Sequence, residues 1–315
     1  MMNRLDYKWD MLNEKQAKEA YNYLNGSVKK TRVVRLGNVL LKLENEQITK
    51  SYKVRGASYF INHLNGKKKV ITASAGNHAQ GVAYASSIKN IENLILMPMG
   101  TTNEKVMNTL KLGGRVELFG KIYDETAERA KEISKKEGYV YIPAYEHPLI
   151  ILGQGTVYTE FVEQLGFNPK AIAVPLGGGG LITGIALNSY YNGKTRIIGV
   201  QSDKANSMYN SFHVGKVKKN NGDLDTIAEG IKVNFASEIM LNYILKYVDD
   251  IVTVTDDEIK EAMRELYRNG IVAEGAGAAG YAAILSGKAK AETTIITGGN
   301  IDKALFNSIV KNNKI

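Results

Sequence analysis

Ala171-Ile172-Ala173-Val174-Pro175-Leu176-Gly177-Gly178-Gly179-Gly180-Leu181 joins a short apolar run to a helical stretch through four consecutive glycines. Backbone N–H groups with no side chains over them can crowd around a phosphate, and the partial positive end of the next helix adds to the attraction. Glycine permits that close approach at an entropic cost that a purely structural loop has little reason to carry. A tight strand-to-helix turn is the plain alternative. No Gly-Lys-Ser/Thr follows, so the loop is no Walker A motif, and the spaced glycines and acidic residue of a dinucleotide site are missing. A phosphate monoester is the better guess.

Outward from this loop the chain alternates strands and helices. Lys69–Thr72 reads as a strand and Asn77–Ser87 as a helix; Leu94–Met97 is a second strand, stopped by Pro98. A helix over Thr102–Leu112 ends at Gly113-Gly114. The strand Val116–Phe119, a helix over Asp124–Lys136 and the strand Tyr139–Ile142 complete a compact βα block. Gly155–Leu165 reads as the helix before the glycine loop, and Arg196–Val200 as the strand beyond the next helix. Asp250–Val254 is a later strand, and Thr255 with Glu258 forms a capping box whose helix stops at Asn269-Gly270. Thr293–Ile296 is the last strand. Residues 202–226, polar and carrying Asn220-Asn221-Gly222, read as a surface excursion. Such alternation predicts an α/β fold, with parallel sheets and helices on both faces.

The bulk numbers set limits. A chain of 315 residues, 44% hydrophobic and 23% charged, can bury a full core and form two lobes. Zero cysteines exclude disulfides and thiolate metal sites, and fit a reducing cytosol. Met1-Met2-Asn3-Arg4-Leu5-Asp6 has no apolar segment behind it, so no secretory signal is expected. No apolar stretch reaches the roughly 18 residues that a membrane span needs. The net charge of +9 is dispersed, with Lys67-Lys68-Lys69 as its one run, and no recognition module accompanies it. Nucleic acid is therefore not an expected partner.

Open parallel sheets bind ligands beyond the carboxyl ends of their strands. Three loops sit there: Ala73-Ser74-Ala75-Gly76-Asn77-His78, the four glycines, and Thr297-Gly298-Gly299-Asn300. A fourth segment, Ser51-Tyr52-Lys53-Val54-Arg55-Gly56-Ala57, puts a lysine just before a predicted helix. Such a lysine becomes a covalent nucleophile if its pocket disfavours the charged form; taken alone, Lys53 also reads as a solvated surface lysine.

In this order the four segments resemble the fold-type II pyridoxal-phosphate enzymes, which are tryptophan synthase β-like, in their serine/threonine dehydratase (threonine ammonia-lyase) and serine racemase branch. Leu43-Glu44-Asn45, Gly153-Gln154-Gly155-Thr156, Ile227-Ala228-Glu229-Gly230 and Glu274-Gly275-Ala276-Gly277 extend the resemblance from about residue 37 to 310. It implies a large coenzyme-binding domain over 1–66 and 147–315 and a small mobile βα domain over 67–146. It implies that Lys53 holds pyridoxal 5'-phosphate as an imine and then serves as base. Gly177, Gly178, Gly179, Gly180 and Leu181 would hold the phosphate, and Asn77 the ring oxygen. Ser74, with Ala75, Gly76, Asn77 and His78, would fix the substrate carboxylate. Thr297 would offer a neutral hydroxyl to the ring nitrogen, and Gly230 and Glu274 would line the pocket. His78 as a packing residue, Glu274 as a first-turn helix charge and Thr297 as a strand-end threonine are the competing assignments.

The implied reaction is loss of water from L-threonine or L-serine, after which the released enamine hydrolyses to a 2-oxo acid and ammonia. The racemases carry a serine before Gly-Asn-His as their second acid–base group, and here Ala75 cannot exchange a proton. The alternatives are a related lyase or β-replacement enzyme on another β-substituted amino acid such as 3-hydroxyaspartate, serine racemase, and a weakly active regulatory paralogue. Cytoplasmic location, a homodimer or homotetramer, and the short catabolic type without a regulatory domain are expected.

Three departures stand out. Thr49-Lys50-Ser51 replaces a Thr-Gly-Ser, placing a lysine beside the site. The stretch Thr31–Lys53 is about eight residues shorter than in relatives and lacks their Thr-Pro start, which bears on substrate choice and assembly. Gln201 and Ser207 stand where cation-binding relatives place carboxylates, so no metal is expected.

Overall fold

The computed structural model describes residues 9–220 and 224–311. Met1–Asp6 and Asn221-Gly222 lie outside them. Along the chain, α1 (Glu14–Leu24) leads to the hairpin β1 (Val33–Leu36) and β2 (Val39–Leu43), then α2 (Lys53–Asn62). Next come β3 (Lys69–Ala73), α3 (Asn77–Ser87), β4 (Glu92–Met97), α4 (Asn103–Lys111), β5 (Val116–Leu118), α5 (Tyr123–Glu137) and β6 (Val140–Tyr141). The chain continues through α6 (Pro148–Leu165), β7 (Ala171–Pro175), α7 (Gly180–Asn192), β8 (Arg196–Ser202), α8 (Ser207–Val214) and α9 (Glu238–Tyr247). It ends with β9 (Asp250–Val254), α10 (Asp256–Arg268), α11 (Gly275–Leu285), β10 (Thr293–Ile296) and α12 (Lys303–Lys311).

β-Branched runs prefer the pleated surface, where their stiff side chains pack without crowding a preceding turn. They assemble into two sheets, ordered β1-β2-β10-β7-β8-β9 and β5-β4-β3-β6. Every pairing is parallel except β1 with β2. Helices on the faces of such sheets make the strands continuously apolar, and β7 and β10 are buried along their whole length.

Two readings of the sequence change. The helix expected from Gly155 starts at Pro148, with His147 Nδ1 accepting the Leu149 N–H at 3.1 Å. Its first turns are buried on every side, so no polar face announces them. Gly153 and Gly155 are there for close approach: a Cβ on Gly153 would lie 2.7 Å from Gly56 Cα, and one on Gly155 2.5 Å from the Gly184 carbonyl. α6 is thus the central post against which α2 and α7 lean. The second change is α8, a helix within the supposed surface excursion, with Ser207, Met208 and Ser211 buried.

Beneath α2 lies a buried charge network. Arg55 donates to both carboxylate oxygens of Glu44 at 2.8 Å and to Glu160 at 3.0 Å, while Lys42 reaches Glu160 at 2.5 Å. Thr31 donates from its hydroxyl to Glu44 at 2.7 Å and from its backbone to Glu160 at 3.2 Å. Two cations balance two anions, and losing one partner would strand the others in a low-dielectric interior. The segment from Thr31 therefore folds as a tight hairpin whose entry residue locks the start of α2 to α6.

Candidate active site

The carboxyl ends of β3, β7 and β10 and the first turn of α2 meet at one place. The loop after β10 is stitched to the segment before α2: Tyr52 N–H donates to the Thr297 carbonyl at 3.1 Å, and Gly299 N–H to the Lys50 carbonyl at 2.9 Å. Asn300 Nδ2 donates to the Thr49 carbonyl at 2.8 Å and to Asn77 Oδ1 at 2.7 Å. Asn77 Nδ2 in turn donates to Glu274 Oε1 at 2.6 Å. The three sequence-distant loops thus form one polar chain.

Lys53 opens α2 and is turned inward. Its Nζ donates to the Ala144 carbonyl at 2.8 Å and lies 5.4 Å from the Tyr52 ring centroid. Burial disfavours the ammonium and brings its pKa down to about 8, against a smaller opposing pull from Glu274. Lys53 is part-buried with its amine turned inward, unlike a solvated surface lysine. Glu274 responds in the opposite sense: burial pushes its carboxyl up to about 7, with the Asn77 hydrogen bond opposing and the charge of Glu229 adding.

Each glycine of the four-glycine loop has its own reason. Gly179 takes φ 96, a left-handed value that a side chain resists. A Cβ on Gly177 would lie 3.1 Å from Ile231 Cα, and one on Gly178 2.4 Å from the Tyr145 ring. One on Gly180 would lie 2.9 Å from the Tyr145 carbonyl. α7 then begins with no side-chain cap, so no side chain answers its first N–H groups. α3 begins in the same way behind Gly76, while Gly76 N–H donates to Ser74 Oγ at 3.2 Å.

His78 packs rather than facing the cleft. Its Nε2 meets the Ile142 carbonyl at 3.1 Å, and burial with nearby Lys53 drives its pKa down to about 3, so the ring is neutral. Thr297 is buried, with Oγ1 3.5 Å from the Ala276 carbonyl, and a Cβ on Gly230 would meet Ala276 at 2.9 Å and Glu274 at 3.8 Å. Ser74, Ala75 and Gly76 are only partly buried.

Sequence reading missed Ala144 and Tyr145, which carry no motif and reach the site only through the fold. It saw Lys50 but not its backbone: φ 54 keeps the left-handed shape a glycine adopts freely. At the positions where cation-binding relatives are expected to carry carboxylates, Gln201 Oε1 accepts the Tyr209 N–H at 2.7 Å, and Ser207 Oγ donates to the Val233 carbonyl at 3.1 Å. Among the described residues no group of three metal-ligating side chains occurs, and no helix is long and apolar enough to cross a membrane.

The profile of the family described as "Pyridoxal-phosphate dependent enzyme" matches residues 24–298. The chain is 38% identical over 316 residues to an L-threonine ammonia-lyase of Thermotoga maritima, spanning 95% of this chain and 78% of that protein. It is 38% identical over 310 residues to a catabolic L-threonine dehydratase of Escherichia coli, spanning 92% and 94%. The processed form of threonine deaminase isoform 2 from Solanum lycopersicum superposes with TM-score 0.88 at 34% identity, covering 96% of this chain and 88% of that one. Maize serine racemase gives TM-score 0.88 at 30% identity, covering 95% and 97%.

Proposed function

Because the chain belongs to the pyridoxal-phosphate dependent enzyme family, we propose that it removes water from L-threonine or L-serine, releasing 2-oxobutanoate or pyruvate with ammonia. The observation that carries this reading is the inward-turned Lys53 amine, hydrogen-bonded to the Ala144 carbonyl, in the same cleft as the bare start of α7. A buried, partly neutralised amine and an uncapped glycine cradle fit an aldehyde that carries a phosphate.

Lys53 Nζ would hold the coenzyme aldehyde and, when free, would serve as the base for the substrate α-proton. A pKa of about 8 keeps more of this amine neutral near pH 7 than an ordinary lysine would have. When bound, the coenzyme ring supplies an electron sink for the bond being broken. Gly177, Gly178, Gly179, Gly180 and Leu181 present backbone donors to its phosphate. Asn77 keeps one Nδ2 hydrogen beyond the one given to Glu274, enough to serve a ring oxygen as well. Ser74 and the amides at the start of α3 orient the substrate carboxylate, which fixes the α-proton toward Lys53. Thr297, whose hydroxyl lies 3.5 Å from the Ala276 carbonyl, would be the neutral partner of the ring nitrogen, one that does not enforce a protonated ring. Gly230 and Glu274 bound the ring's surroundings. Ala75, lacking an exchangeable proton, argues against racemisation.

A second reading has one observation in its favour. Lys50 faces a cleft of about 420 Å³ shared with Glu104, Met107, Asn108, Lys111 and Lys303. Three lysines against one glutamate at this mouth suit an acidic β-substituted amino acid such as 3-hydroxyaspartate. In our division the chain pivots between a large domain, 1–66 and 147–315, and a small one, 67–146, within a cytoplasmic homodimer or homotetramer.

The test is a panel on purified holoprotein: L-threonine, L-serine and 3-hydroxyaspartate, each assayed for 2-oxo acid and ammonia. Turnover of the first two supports the leading reading, and preference for the third transfers support to the second. No 2-oxo acid from any of them defeats both. Appearance of D-serine in Ala75→Ser, absent in the parent, supports the assignment of the second face.

A further inference from the structure

α4 belongs to the unit built on the four-stranded sheet, yet one of its side chains grips the other unit. Lys105 Nζ lies 2.6 Å from Glu229 Oε2. Glu229 begins a short turn, Glu229–Ile231, that walls the site from two sides. Ile231 and the Gly230 carbonyl stand against Gly177, and Gly230 faces Ala276 and Glu274. The ion pair therefore ties α4 to a segment touching both the glycine loop and the buried carboxyl. Asn77, from the same unit, also donates across the cleft to Glu274, so that bond ends on the same carboxyl.

We propose that Lys105 and Glu229 are positioning residues whose ion pair holds the small unit closed over the site, beside the Glu274 carboxyl. The inference rests on the coenzyme site proposed above but not on which amino acid is the substrate. Glu274 is faced by Lys53 and Tyr52 from α2, Asn77 from α3, the Asn300 backbone N–H, Glu229 from the turn and Lys105 from α4. Of these, the Glu229 anion raises the Glu274 pKa and the Lys105 cation lowers it. A latch that was only mechanical would behave identically whichever end was cut. An electrostatic latch would not.

The experiment compares Lys105→Gln, Glu229→Gln and the charge-reversed double variant Lys105→Glu/Glu229→Lys, all as holoproteins. Hydrogen exchange of the amides around 229–231 should quicken several-fold in both single variants and return toward the parent in the double one. The KM for the substrate found by the panel should rise about 3- to 10-fold in the single variants, with kcat within about twofold, since only closure is lost. Visible absorbance is then titrated without substrate, and the transition missing in Glu274→Gln is assigned to Glu274. Its midpoint should move up in Lys105→Gln and down in Glu229→Gln, by about 0.3 pH unit each for charges on partly exposed groups. Unchanged exchange in both single variants would overturn the latch. Midpoints moving in the same direction would overturn the electrostatic half, whatever the activity panel shows.

Discussion

Two helices leave the same edge of the six-stranded sheet and begin in opposite ways. α10 follows β9 and starts with a full capping box: Thr255 Oγ1 accepts the Glu258 N–H at 3.2 Å, and Glu258 Oε2 accepts the Thr255 N–H at 2.7 Å. Asp256, Asp257 and Glu258 add three negative charges to its first turn. α7 follows β7 and starts behind Gly179 with no side-chain cap and no acidic residue in its first turn. One helix answers its first N–H groups from its own sequence, while the other has no side chain that does so. The contrast is between a start capped from within and, on the reading proposed above, a start suited to an anion.

The strongest way to break the comparison lies beside α7. Lys53→Ala should lower turnover by about 10³-fold or more and remove the coenzyme's covalent absorbance band, while the thermal transition stays cooperative. Full turnover in that variant would end the mechanism. Gly179→Ala forces a side chain onto φ 96 and should weaken coenzyme binding about tenfold, measured by titrating apoprotein with pyridoxal phosphate. The matching cut in α10, Thr255→Ala, should cost about 1 kcal/mol in denaturant unfolding and leave coenzyme affinity unchanged. If it also weakened the coenzyme, the two starts would not be independent.

His78 gives a pH prediction with a definite sign. Its folded pKa, about 3, lies below the ordinary 6.5, so the unfolded chain takes up the proton first. The stability it contributes is complete above about pH 6.5 and is lost as pH falls toward 3. Between pH 6.5 and 5 this amounts to about 1–2 kcal/mol, so His78→Gln should flatten the dependence of unfolding free energy on pH there. The smallest effect belongs to Lys50→Gly, which relieves φ 54 at one site and should change stability by no more than about 1 kcal/mol, seen as a small rise in Tm. The same variant reduces the positive charge at the cleft, so it also sharpens the choice between neutral and acidic substrates.

The comparison explains what could be read beforehand. β10 and the span of α3 were legible to the residue because β-branched runs and local punctuation specify them. The α10 box was legible because its partners lie three residues apart. The span of α11 went unread beyond Glu274 as a first-turn charge: its first nine residues are apolar and buried on every side, and periodicity needs a contrast between faces. Lys53, the glycine loop and Thr297 were legible as motifs. Tyr145 over Gly178, the Ala144 carbonyl under Lys53, and the Lys105–Glu229 pair were not, because each is a contact between segments far apart in sequence with no local signature.

The Ala144 carbonyl steadies a side chain whose amine is already softened toward nucleophilic behaviour. With its pKa near 8, about one molecule in ten carries that nitrogen uncharged at pH 7. An amine neutral to that extent condenses with aldehydes far more readily than an ordinary lysine. The burial that sets this reactivity also narrows which carbonyl compounds can reach it.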